Sequence, residues 1–126
     1  MRIFTRRAIR EFWQSRPGAE REVARRVLKV WQEATEDQRW ENFDDVRSTF
    51  RSTDTVGHCF VFNVGHNKYR LVAKINFRLK QVFIRAILTH AEYDKDLWVE
   101  KCGCHSPPPP RKSPAPKSPP KGKPKP

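Results

Sequence analysis

The sequence predicts an α+β domain in which two N-terminal helices pack on one face of a small, twisted antiparallel sheet, followed by a disordered Pro/Lys-rich C-terminal tail. Three observations lead there. Apolar residues recur at helical spacing over the first 35 positions, the period falls to two after Gly57, and 10 of the 11 prolines crowd into the last 20 residues.

Ile3 and Phe4 fit a short edge strand. From Thr5 to Gln14, Ala8, Ile9, Phe12 and Trp13 form one helical stripe, which Ser15-Arg16-Pro17 ends. A second helix is expected over 17–35, with Pro17 in its first turn and Glu20 and Glu22 at the positive end of its dipole. Its expected inner face carries Ala19, Val23, Val27, Val30, Trp31 and Ala34. A shorter helical piece is expected from Asp44 to Phe50, with Asp44 as N-cap.

Three alternating strands follow, at 58–64, 68–77 and 81–89. Gly65-His66-Asn67 and Arg78–Lys80 connect them tightly, as in an antiparallel meander. Phe60, Phe62 and Val64, then Tyr69, Leu71, Ala73, Ile75 and Phe77, then Val82, Ile84, Ala86 and Leu88 make an apolar face for the helices. The opposite face combines Arg70, Lys74 and Arg85 with Val61, Val72, Phe83 and Ile87. It is expected to stay open, as a basic surface for single-stranded RNA on which Phe83 offers a stacking ring. The competing reading is a solvated face with scattered cations.

Net charge supports a polyanionic partner: 26 Lys plus Arg against 14 Asp plus Glu give +12 and a pI near 10.2. The tail, 107–126, supplies six of those cations and no acid, which leaves +6 on the domain expected over 1–106. No apolar run approaches the roughly 20 residues of a membrane span, and residues 1–7 lack the apolar stretch of a secretory signal. Three cysteines do not make a disulfide framework, so a cytoplasmic protein without a membrane partner is expected. Cys102-Gly103-Cys104-His105 offers at most three metal ligands and no second pair, so neither metal nor cofactor is expected.

The chemistry concentrates in Thr89-His90-Ala91-Glu92-Tyr93-Asp94-Lys95, where the third strand leaves the sheet. RNA cleavage by its own 2′-hydroxyl needs a base for that proton, cations for the phosphorane charge and an acid for the leaving 5′-oxygen. His90 suits base or acid, Tyr93 can shuttle a proton, and Arg70, Lys68 and Arg85 are suited to phosphate. Glu92 and Asp94 are supporting residues that orient cations or cap the last helix. The plain alternative for His90 is an ordinary strand-end histidine. His58 and His66 read as exposed, and Asn63 and Asn67 as turn residues.

At these residues the chain resembles the HigB branch of the RelE-like toxins. The motifs are Arg10-Glu11-Phe12-Trp13, Phe50-Arg51-Ser52, Val61-Phe62-Asn63-Val64-Gly65 with Asn67-Lys68-Tyr69-Arg70-Leu71-Val72, and Thr89-His90-Ala91-Glu92-Tyr93-Asp94, spanning residues 1–98. The resemblance implies a RelE-like fold and a metal-independent endoribonuclease, an mRNA interferase that cuts translated messenger RNA in the ribosomal A site. It implies a helix-turn-helix, HigA-like antitoxin, through which the pair reaches operator DNA. Arg70 matches the family's arginine in the Lys-Tyr-Arg-Leu-Val strand and His90 and Tyr93 match its C-terminal motif, which implies catalytic roles for them; Lys74 and Arg85 are expected as supporting phosphate contacts. The tail departs from the family pattern. The rival classes are a non-catalytic RNA- or ribosome-binding module, and a degenerate toxin that only holds its antitoxin.

Overall fold

The computed structural model of the chain describes residues 1–66 and 68–105. The expected tail, 107–126, lies outside the described residues, as do Ser106 and Asn67. In chain order the elements are β1 (Arg2–Phe4), α1 (Arg6–Gln14), α2 (Glu20–Glu36), α3 (Phe43–Thr49), β2 (Asp54–Val56), β3 (Cys59–Val64), β4 (Tyr69–Asn76), β5 (Gln81–Thr89), α4 (His90–Asp94) and α5 (Trp98–Lys101). The strands form one sheet in the order β1-β5-β4-β3-β2. Strands β2 to β5 are the expected antiparallel meander with one added edge strand. Strand β1 runs parallel to β5, so the sheet is mixed rather than wholly antiparallel. None of the described helices is long and apolar enough to cross a membrane.

Helices α1 and α2 cover one face, as their periodicity requires. The buried side of α2 is Ala24, Leu28, Trp31 and Thr35. This corrects the expected stripe, because Ala19 is exposed and Val30 is 63% exposed. Leu28 and Trp31 offer more apolar area than the valines, and burying both turns Val30, about 100° from Trp31, toward water. Trp31, Trp40 and Phe50 surround Phe62 of β3 at centroid distances of 5.3, 6.2 and 5.5 Å. Helix α3 begins one residue earlier than expected. Its N-cap is Asn42, whose side chain accepts the Asp45 backbone N–H at 2.9 Å, so Asp44 sits in the first turn.

The other face of the sheet is not open, and this overturns the central expectation drawn from its alternation. Residues 97–105 fold back across it. Trp98, Cys102 and Cys104 form a second core with Cys59, Val61 and Val72. A disulfide joins Cys59 of β3 to Cys104, and the His58 backbone N–H donates to the Cys104 carbonyl at 2.6 Å. The cysteines thus include one disulfide, which the odd cysteine count did not lead one to expect, and a buried free thiol, Cys102. Gly57 makes this approach possible: at φ +60° it lies so close to the Cys104 carbonyl that a Cβ would collide with it.

The expected facing of β5 also changes along its length. Val72 pairs with Ala86 and Ala73 with Ile84, which leaves Arg85 as the extra residue of a β-bulge. The bulge reverses the alternation beyond it. Ile87 therefore packs with the helix-side core, and Ala86 and Leu88 pack against the second core.

Candidate functional site

The end of β5 turns directly into α4 through a capping box. Thr89 Oγ1 accepts the Glu92 backbone N–H at 3.3 Å, and Glu92 Oε1 accepts the Thr89 backbone N–H at 3.0 Å. Glu92 is thereby committed to capping the helix start. His90, the first residue of α4, is exposed, as are Asp94 and Lys95.

The register sets what lies beside this turn. Tyr69 of β4 pairs with Thr89, and Arg70 with Leu88, so Lys68 and Arg70 sit at the sheet end where α4 begins. Lys68 is exposed. The Arg70 guanidinium carbon lies 5.4 Å from the centroid of the Tyr93 ring. Tyr93 also stacks on Trp98, with centroids 5.1 Å apart and planes 18° from parallel. Partial burial raises the Tyr93 phenol above its usual value; Asp54 raises it further and Arg70 acts in the opposite sense. Like an ordinary phenol it is protonated near neutral pH, and the shift makes it a still poorer base.

Three of the expected RNA contacts sit elsewhere. Lys74 is 5% exposed, with its ammonium close beneath Gly103, and burial followed by the nearby Arg85 lowers its pKa. Phe83 is 5% exposed and stacks on Phe4 of the edge strand at 5.4 Å, so its ring is not presented to a base. Arg85 is exposed on the bulge, and its Nε–H donates to the Cys102 carbonyl at 3.2 Å. Lys74 and Arg85 lie against residues 102–103 of the returning segment, and Phe83 against the edge strand. Arg70 to Lys74 is four strand residues, about 13 Å at the usual rise.

The described residues thus bring together Lys68, Arg70, His90 and Tyr93, with Glu92 and Asp94 around them. Trp98 and Asp54 were missed by sequence reasoning. Trp98 stands alone after a turn with no periodic partner, and Asp54 belongs to a three-residue strand too short to show alternation. Cys104 is engaged with Cys59 and Cys102 is buried, so the Cys102–His105 run is part of the second core. Among the described residues no group of three His, Cys, Asp or Glu is placed to hold a metal ion.

Comparison with known proteins bears on the same stretch. Residues 24–96, more than half of the chain, match the HigB toxin family, described as the RelE-like toxic component of a toxin–antitoxin system. The mRNA interferase toxin HigB of Escherichia coli (strain K12) is 37% identical over 54 residues, covering 40% of this chain and 52% of that protein. The mRNA interferase HigB of E. coli O6:H1 is 38% identical over 55 residues, covering 41% and 53%. The chain spans about half the length of the curated relatives it matches. Arg70, His90 and Tyr93 lie inside the matched stretch, whereas Trp98, Cys102 and Cys104 lie beyond it. A five-stranded sheet carrying two helices, with these residues at one end, agrees with that match, and the chain belongs to the HigB toxin family of RelE-like toxic components of toxin–antitoxin systems.

Proposed function

We propose that this chain is the toxin of a toxin–antitoxin pair and acts as an mRNA interferase, a metal-independent endoribonuclease that cuts translated messenger RNA on the ribosome. The observation that carries the reading is the convergence of Arg70 and Tyr93 at the turn bearing His90, inside the stretch matched to the family. In this reading His90 takes the 2′-hydroxyl proton, and the oxygen so activated attacks the adjacent phosphorus. Arg70 and Lys68 hold the charge that builds on the non-bridging oxygens. Tyr93, whose phenol is protonated near neutral pH as any tyrosine is, gives its proton to the departing 5′-oxygen. The names of the similar E. coli proteins, both mRNA interferases, support messenger RNA as substrate. A HigA-like helix-turn-helix antitoxin would be the partner, with operator DNA reached through it, and the cytoplasm, where ribosomes work, the setting.

Primer extension on a reporter message in a translating extract tests this. The purified protein is expected to leave discrete cuts within translated codons that are absent without ribosomes. His90→Ala and Arg70→Ala should each lower cleavage by about 10²- to 10³-fold, the usual loss when one group acting on the transition state is removed. An intact message with the unaltered protein would defeat the nuclease reading and favour a binding module or a decayed toxin.

A further inference from the structure

Trp98 lies just past the stretch matched to the family, yet it is the residue most intimately joined to Tyr93. It is 5% exposed and is the largest side chain of the second core. Its indole ring stacks on the phenol ring, and its indole N–H donates to the Tyr93 backbone carbonyl at 3.0 Å. One side chain therefore holds both the ring and the main chain of Tyr93. Such a hold is needed, because α4 is only five residues long and has no buried residue of its own. Trp98 is anchored in turn: its segment ends at Cys104, tied to β3 by the disulfide and by the His58 N–H.

We propose, on the reading of function given above, that Trp98 is a positioning residue that holds the Tyr93 phenol beside Arg70 in the orientation needed to protonate the leaving 5′-oxygen. It touches no RNA and acts only through Tyr93. Proton transfer needs the two heavy atoms within about 3 Å, and a misplacement of about 1 Å is enough to cost on the order of 10²-fold in rate. The capping box holds the start of this short turn, and the stacked indole removes most of the rotamers left to the Tyr93 ring.

The test is a cycle of variants read by single-turnover cleavage on programmed ribosomes. Trp98→Ala is expected to slow cleavage at saturating ribosomes by tenfold or more, to leave half-saturation within about twofold, and to add nothing in a Tyr93→Phe background. Trp98→Phe keeps a stacking ring and should recover most of the rate. Equal losses with and without the Tyr93 hydroxyl would overturn the proposal, since the effect would then be on the fold at large.

A second readout does not depend on activity. The chain has only two tyrosines, so 3-fluorotyrosine labelling gives one fluorine resonance for Tyr93 and one for Tyr69. The Tyr93 resonance should move in Trp98→Ala and largely return in Trp98→Phe, while that of Tyr69 stays in place. An unmoved Tyr93 resonance would overturn the positioning role even in an active enzyme. Were the unaltered protein to cut nothing, the nuclease reading would fall, and the fluorine spectra would still decide whether Trp98 holds Tyr93. If Trp98→Ala does not fold, Trp98→Phe in both Tyr93 backgrounds carries the comparison: a loss greater than about tenfold despite the retained ring would overturn the proposal.

Discussion

At the scale of single residues, the two tyrosines occupy opposite sides of the sheet. Tyr69 is buried on the helix side of β4, and its hydroxyl donates to Glu20 Oε2 at 2.7 Å, tying the strand to the start of α2. Burial, together with that carboxylate, pushes its phenol up to about 12. A group whose folded pKa exceeds its unfolded value of about 10 contributes stability fully below pH 10 and loses it as pH rises toward 12. Unfolding free energy is expected to fall by about 2–3 kcal/mol across that window, as two pKa units imply. Urea titrations at pH 9 and pH 11.5 would measure it. Tyr69→Phe should abolish much of this dependence, and an unchanged alkaline loss would place the sensitive group elsewhere. The Tyr93 phenol is also raised, by partial burial and then Asp54, but its ring lies against the Arg70 guanidinium at the sheet end rather than in the helix-side core.

At the scale of elements, the β2–β3 turn decides whether the C-terminal segment can seat. Gly57 combines φ +60° with direct contact to the Cys104 carbonyl, so Gly57→Ala both strains the backbone and pushes that segment outward. We expect a loss of about 1–3 kcal/mol in stability, of the order usual for a strained position. Exposure of the Cys102 thiol, now 3% accessible, should follow. Its rate of modification by a thiol reagent should rise well above that of the unaltered protein, and an unchanged rate would mean that the segment tolerates the extra methyl. The β5 bulge works on the same scale. By adding Arg85 it lets one strand serve the helix-side core with Ile87 and the second core with Ala86 and Leu88.

At the scale of the whole molecule, the sheet is enclosed from both sides, by α1 and α2 and by residues 97–105. The Cys59–Cys104 disulfide closes a loop with a sequence separation of 45 residues. In the chain-entropy picture such a link stabilises by about 4 kcal/mol, chiefly by restricting the unfolded chain. A reductant should therefore lower the urea midpoint of the full chain, and Cys59→Ser should lower it similarly without further response to reductant. A midpoint indifferent to reductant would show that the second core holds the segment unaided. In a reducing compartment the pair would stand as two thiols, leaving Trp98 and the His58 N–H to keep the segment in place.

The sequence alone determined the α+β class, both N-terminal helices and the three-stranded meander. Each follows from periodicity within an element or from connections too short to permit another pairing. Cation and aromatic content, by contrast, did not disclose that Lys74 and Phe83 are buried. Nor did alternation disclose the parallel edge of β1, the bulge at Arg85, or the return of Trp98 and Cys104 over the sheet. Those features depend on contacts between residues far apart in the chain, which leave no local period. A single extra residue in β5 reverses which face every later side chain occupies. Only the tertiary structure could decide that the expected open basic face is a second core, and that Tyr93 meets Arg70 at the end of the sheet.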